Sequence, residues 1–327
     1  MRRRVFSSPA APWRASRAGN GYGLTATPDW RAVDWRSHLH RVDVDGTPTN
    51  YVDLGLGKRE PVLFVHGLGG QWQNWLENLP RLAEERRVLA LDLPGFGLTP
   101  EPRWEITIPA YGRFVDAFCE RLGLAQVAMV GNSMGGFIAA EVAIQVPSRI
   151  SRLVLVSAAG VSSAGVMRTP VLTAGRLLGA IATNTAARHR ALAARPIARH
   201  LSLALVARYP GLLRPDLAYE GLYKGAGKPA FDDALRACLA YDFADRLPEV
   251  SVPTLIVWGE DDSIIPVRDA NEFERLIPDS RKLVMRETGH IPMAERPQAF
   301  NDLLIEFLAE TGPAEEKEPV EGEPQIA

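Results

Sequence analysis

Six short apolar runs, separated by amphipathic stretches, constrain the fold of this chain more than any other feature. They are "PVLFVHG" (Pro61 to Gly67), "RVLALDLPG" (Arg87 to Gly95), "QVAMVGNS" (Gln126 to Ser133), "RLVLVSAAG" (Arg152 to Gly160), "PTLIVWGEDD" (Pro253 to Asp262) and "RKLVMRETGH" (Arg281 to His290). Most are near-continuous rather than alternating, the pattern of strands covered on both faces in a parallel sheet. Between them, stretches such as "PAYGRFVDAFCERLGL" (Pro109 to Leu124) space Phe114, Phe118 and Leu122 along one helical face. Strand and helix alternating in this way predict an α/β fold, a mostly parallel central sheet with helices on both faces. The earlier "LHRVDVDGTPTNYVDLG" (Leu39 to Gly55) alternates around Asp45-Gly46 and reads as an antiparallel hairpin entering the sheet.

The chain has 327 residues, 46% of them apolar, ample for one large core carrying an insert. The expected organisation is a disordered basic arm over 1–35, a core from 36–160 and 247–311, a helical insert over 161–246 and a disordered acidic tail over 312–327. The arm begins "MRRRVFSSPAAPWRASRAGNGYG" but never forms the apolar stretch of roughly 7 to 15 residues that a secretion signal needs. The tail, "GPAEEKEPVEGEPQIA", is rich in Glu and Pro and poor in apolar residues. No window reaches the roughly 18 uninterrupted apolar residues of a membrane span. The nearest, Pro170 to Ala187, contains Arg176 and polar residues and reads as an amphipathic or buried helix. A formal net charge of -2 gives no reason to expect a nucleic-acid partner. Cys119 and Cys238 match no metal or redox spacing and are expected as buried free thiols, which fits a reducing cytoplasm.

The insert interrupts the strand and helix rhythm with Ala, Leu and Arg. Val161 to Asp245 holds eleven Lys and Arg against six Asp and Glu. The ordinary reading is a solvated basic helix face, with His189 and His200 pointing to solvent. The functional alternative is attraction to an anionic substrate or peripheral contact with an acidic membrane surface.

The chemistry centres on "VGNSMGG", where an apolar strand gives way to a helix. Gly131, Ser133 and Gly135 fit G-x-S-x-G, a strained turn that lifts a serine hydroxyl above the sheet; glycines flank it because a side chain there would collide with the neighbouring strand and helix. A serine needs a base. His290 follows the last strand, at the carboxyl edge where ligands of open α/β sheets lie. An acceptor for the other imidazole nitrogen is available at the end of "TLIVW", in Glu260, Asp261 or Asp262. His66, in "HGLGG", reads as a hydrogen-bonding residue of its turn. Other glycine clusters lack the strand-turn-helix setting of a phosphate loop, and no metal-ligand spacing is present. The expected chemistry uses no cofactor.

Taken together, these residues resemble the α/β-hydrolase superfamily of the cap-bearing type over roughly His38 to Glu310. The family's G-x-x-D-x-x-x-P stretch falls on Gly259, Asp262 and Pro266, and its G-H-x-P-x-x-E-x-P stretch on Gly289, His290, Pro292, Glu295 and Pro297. Its D-x-P-G-x-G turn falls on Asp92, Pro94, Gly95 and Gly97, and its H-G-x-G-G turn on His66 to Gly70. The resemblance implies a triad of Ser133, Asp262 and His290, prefers Asp262 over Asp261, and implies an oxyanion hole from the backbone amides of Leu68 and Met134.

Serine at the elbow, where dehalogenases and epoxide hydrolases of this superfamily carry aspartate, makes hydrolysis of a carboxylic ester through an acyl-enzyme the leading expectation. The partner expected is a small or medium apolar ester. Hydrolysis of a carbon-carbon bond in a ring-fission diketone is an alternative, because "GNSMGG" also resembles the elbow of meta-cleavage product hydrolases. Against it, Ile291 stands where such enzymes frequently carry an aromatic residue. Cofactor-free perhydrolysis and a ligand-binding protein without turnover are further alternatives. The insert is expected to cover the pocket as a cap and to set specificity, so that replacing it changes which esters are cleaved more than it changes the triad chemistry.

Overall fold

The computed structural model describes residues 21–57, 59–161, 190–223 and 230–310. Eight strands form one sheet: β1 (Leu39–Val44), β2 (Thr47–Leu54), β3 (Arg59–Val65), β4 (Arg86–Leu91), β5 (Val127–Asn132), β6 (Ile150–Val156), β7 (Thr254–Gly259) and β8 (Ser280–Met285). Their order is β1-β2-β4-β3-β5-β6-β7-β8. Pairs β1·β2 and β2·β4 are antiparallel and every other pair is parallel. The expected hairpin is present, and Asp45 and Gly46 at its tip both have positive φ, 49° and 80°, the twist that tight hairpin turns require.

Continuous apolar runs bury both faces of the sheet. On one face Leu63, Val65, Met129, Leu153, Leu155, Ile256 and Trp258 pack with helices Ile108–Arg121, Met134–Gln145 and Arg268–Leu276. On the other, Val62, Phe64, Ala128, Val130, Val154, Leu255 and Val257 meet Trp75, Leu79 and Leu82 and the last helix, Pro297–Ala309. The Ile108–Arg121 helix starts where the Thr107 hydroxyl accepts from the Ala110 amide at 3.2 Å. Phe114 and Phe118 are buried beneath it, and Leu122, just past its end, packs partly buried on the same core. Cys119 and Cys238 are free and buried.

Strand order reverses around β3, which has β4 on one side and β5 on the other. Connections leave the carboxyl ends of β3 and β5 in opposite directions, opening a crevice between them. "HGLGG" follows β3 and "SMGG" follows β5, so topology brings these two turns together.

The N-terminal expectation requires correction. Residues 21–35, assigned to a disordered arm, are packed: Tyr22, Ala26 and Trp30 are buried. A short 3-10 helix, Trp30–Ala32, is capped by the Asp29 side chain, which accepts from the Arg31 amide. The segment holds because the core offers buried carboxylates to its polar groups. Glu77 accepts from the Ala26 amide at 2.8 Å and from Trp30 Nε1 at 3.0 Å. Residues 1–20 and the expected acidic tail over 312–327 lie outside the described residues.

Within 161–246 the described parts are helical: Arg190–Ala193, Pro196–Leu203, Pro215–Leu217, a π-helical turn Ala218–Tyr223 and Phe231–Ala240. The expected helix at Pro170 to Ala187 and His189 lie outside the described residues. His200 does not face solvent as expected; it is 5% exposed, and Arg199 beside it is 4% exposed. Arg199 donates to the carbonyls of Ala193 and Gly211, while Ile197 and Leu201 take the outward face. Backbone carbonyls inside the insert, absent from any charge count, draw the arginine inward. No helix among the described residues is long and apolar enough to cross a membrane.

Candidate active site

Ser133 joins β5 to the helix Met134–Gln145 with φ 56° and ψ -120°, a backbone conformation that costs a non-glycine residue about 1–3 kcal/mol. The fold over-determines it. The Ser133 amide donates to Val156 O at 2.9 Å, and its carbonyl accepts from the amides of Phe137 and Ala159, each at 3.1 Å. The neighbouring glycines are required by close approach: a Cβ on Gly131 would lie 2.2 Å from Gly135 O, and one on Gly135 would lie 2.2 Å from Val65 O. The elbow is wedged against the end of β3.

His290 sits in the loop after β8, buried, with Nδ1 2.8 Å from Asp262 Oδ2. A carboxylate oxygen accepts, so Nδ1 carries the hydrogen and Nε2 presents its lone pair. Asp262 is itself fixed, its Oδ1 accepting from the amides of Ile264 at 2.8 Å and Ile265 at 2.9 Å. Asp261 turns away and pairs with Arg208 Nε at 3.2 Å. Of the two neighbouring aspartates, Asp262 is the one that meets the His290 ring.

Asn132, immediately before Ser133, links the elbow to the histidine loop. Its Nδ2 donates to Val156 O at 3.0 Å and to His290 O at 3.2 Å. Sequence reading missed it, because the residue falls on a variable position of G-x-S-x-G.

The "HGLGG" turn lies directly beside Ser133: a Cβ on Gly67 would come within 3.1 Å of the Ser133 Cβ. The His66 ring is fully committed, with Nδ1 donating to Gly67 O at 2.8 Å and Nε2 accepting from the Leu93 amide at 3.0 Å. Burial lowers its pKa to about 4, so it stays neutral and holds the turn. The amides of Leu68 and Met134 enter no hydrogen bond of the described backbone outside regular elements, and Met134 N, at the first position of its helix, has no intrahelical acceptor. Asp92 braces the region, with Oδ1 accepting from the Trp72 amide at 2.8 Å and Oδ2 from Asn50 Nδ2 at 2.8 Å.

A second buried carboxylate organises the His290 loop. Glu295 accepts from the two amides flanking His290, Gly289 at 2.9 Å and Ile291 at 3.3 Å, and also from the Arg208 amide at 2.7 Å. The Tyr22 hydroxyl donates to it at 2.6 Å and accepts from the Tyr209 amide at 2.8 Å. Burial pushes the Glu295 carboxyl up, opposed by these donors. The His290 amide donates to Val206 O at 2.8 Å. The N-terminal segment, the insert and the histidine loop therefore share one buried hydrogen-bonded cluster.

The insert also approaches the turns beside Ser133. A Cβ on Gly69 would lie 3.2 Å from the Phe231 ring, and Gln71 Nε2 donates to Glu220 O at 3.1 Å. Among the described residues no group of three or more metal-ligating side chains is gathered.

A sequence model described as the alpha/beta hydrolase fold matches residues 60–297. The chain belongs to the α/β-hydrolase fold family. Among curated relatives it is 33% identical over 276 residues to the dihydrolipoyllysine-residue acetyltransferase component of an acetoin cleaving system from Pseudomonas putida, covering 82% of this chain and 68% of that one. It is 31% identical over 279 residues to a 2-hydroxy-6-oxo-2,4-heptadienoate hydrolase of Pseudomonas putida, covering 81% of this chain and 94% of that one. Among solved structures it resembles a serine hydrolase involved in carbazole degradation, with a TM-score of 0.65 and 29% identity over 83% of this chain and 98% of that one. This α/β hydrolase thus has an acetyltransferase component and a 2-hydroxy-6-oxo-2,4-heptadienoate hydrolase among its relatives.

Proposed function

We propose that the protein is a serine hydrolase that cleaves the carboxylic ester of a small or medium apolar substrate through an acyl-enzyme. Ser133 Oγ attacks the ester carbonyl carbon while His290 Nε2 takes its proton, and the carbonyl π electrons move onto oxygen. The amides of Leu68 and Met134 donate to that oxyanion. As the carbonyl re-forms, the bond to the alcohol oxygen breaks and the alcohol leaves with the proton from His290. Water, deprotonated by His290, then attacks the acyl-enzyme; the acid departs and Ser133 regains its proton. Asp262 keeps the imidazole in the required tautomer and offsets the charge of the imidazolium.

The observation that carries this reading is the contact of 2.8 Å between His290 Nδ1 and Asp262, in a loop bonded to the residue next to Ser133. Residues 161–246 form the cap in this reading, and Phe231 against Gly69 supports an apolar wall for the acyl or alcohol group. Wild type and Ser133→Ala are compared on p-nitrophenyl acetate and butyrate. Hydrolysis falling to background in Ser133→Ala is expected, and undiminished turnover in that variant would overturn the assignment.

A second reading, hydrolysis of a carbon-carbon bond, is favoured by the relatives named as hydrolases of 2-hydroxy-6-oxo-dienoic acids. Ile291 after His290 counts against it. Bleaching of a yellow dienolate substrate by an enzyme inert toward both p-nitrophenyl esters would put this reading first.

A further inference from the structure

At the end of the sheet opposite Ser133, where the parallel strands begin, the chain holds a cleft of about 810 Å³ lined by Arg59, Arg86 and Arg152. Arg59 and Arg86 open β3 and β4 and stand opposite each other in register. Like charges so placed repel unless something lies between them. Arg59 is exposed and paired with Glu85 at 3.3 Å. Arg86 is 5% exposed and makes no ion pair among the described residues; its contact is a hydrogen bond donated to Leu308 O. Arg152 likewise donates to Glu310 O and lies over the Phe307 ring at 5.3 Å.

Capping the last helix explains one N–H of each guanidinium, since arginines favour helix carboxyl ends. Each group carries five N–H donors in a planar fork. A buried guanidinium without a counter-ion is unfavourable, because its desolvation is left uncompensated. Burial and the two neighbouring arginines press the Arg86 pKa below its ordinary value, against Glu60 and Glu85. Ser151 Oγ, a residue of the same wall, is buried and has no partner among the described residues. Of the acidic residues lining the cleft, Glu310 is engaged by Arg281, which leaves Glu60 on the wall. Ile150, Val252 and Leu308 give the lining an apolar wall.

We propose that this cleft is a second binding site, for an oxyanion head, phosphoryl or carboxylate, carried on an apolar body. The head lies between Arg86 and Arg152 with Ser151 as a further donor, and the body rests on the apolar wall. A cleft of this size exceeds the needs of a bare ion. Glu60 disfavours a second anionic group on the same ligand.

The full chain is titrated calorimetrically with phenyl phosphate and with benzoate at constant ionic strength, and with inorganic phosphate for the head alone. Saturable binding of phenyl phosphate or benzoate is expected, and whichever binds names the head group. Arg152→Gln, whose side chain is less buried than that of Arg86, is expected to raise Kd about tenfold, the loss of one charge-assisted contact, and Ser151→Ala, which removes the further donor, to raise it by a smaller factor. Hydrolysis of p-nitrophenyl esters by these variants should match wild type, which separates a folding defect from a binding defect. No saturable binding to wild type, or binding that survives both substitutions unchanged, would overturn the site.

Discussion

The Tyr22 hydroxyl donates to the Glu295 carboxylate at 2.6 Å, and the same carboxylate accepts the two amides that flank His290. A residue from the N-terminal segment therefore bears on the geometry of His290 without touching its ring. Tyr22→Phe removes one donor from Glu295 and leaves the Tyr209 amide without its acceptor. Unfolding in urea should show a loss of about 1–3 kcal/mol, the cost of a buried group left unsatisfied. The accompanying kinetic change is expected in kcat rather than in KM, because the loop that moves carries the base.

The two adjacent aspartates separate cleanly. Asp262→Asn cannot hold the Nδ1–H tautomer and is expected to lower kcat about 10⁴-fold while leaving the fold intact. Asp261→Asn breaks a half-exposed pair with Arg208 and should leave kcat within about threefold, since such pairs contribute about 0–1 kcal/mol. Steady-state kinetics on one chromogenic ester compares them; equal losses would remove Asp262 from its assigned role.

Gly135→Ala tests the elbow. Its Cβ would meet two backbone carbonyls, Val65 O at 2.2 Å and His66 O at 2.5 Å, neither at the end of a flexible side chain. Strand and helix would have to part, and the melting temperature should drop by about 10 °C, the equivalent of roughly 3 kcal/mol in a domain of this size. A melting curve coincident with wild type would show that the turn has more room than its contacts allow.

Stability against pH carries two opposing contributions. Burial lowers the His66 pKa to about 4 from an ordinary value of 6.5, so the unfolded chain binds the extra proton and stability falls as pH drops through that interval. Burial raises the Glu77 pKa from 4.5 to about 7, so the folded chain binds the extra proton and stability falls as pH rises through that interval. Between about pH 4.5 and 6.5 the slopes oppose each other. In Glu77→Gln the acid-side loss due to His66 should stand uncovered and steeper, measured by urea denaturation at a series of pH values. An unchanged slope would mean that Glu77 is not the opposing group.

The parallel sheet and the candidate triad were legible in sequence because their signals are local: an apolar run sets a strand, and the residues just past its end set the chemistry at the edge. Asn132 and Glu295 were opaque as organisers because their meaning lies in partners 158 and 273 residues away. Residues 21–35 misled for the same reason. Their low apolar density hides three aromatics, Tyr22, Trp30 and Trp35, whose polar tips all find acceptors in the fold. Composition failed in the insert as well: its arginines read as one basic surface, yet Arg199 turns inward and Ile197 outward, 62% exposed.

Val206 O takes the amide of His290, so exchanging the insert reaches the histidine loop as well as the pocket. A foreign segment spliced in near residues 161 and 246 would bring its own selectivity but no carbonyl at that spot, and His290 would lose its tether. Successful chimaeras should therefore retain 206–209 from the host, the seam where insert and histidine loop are stitched together.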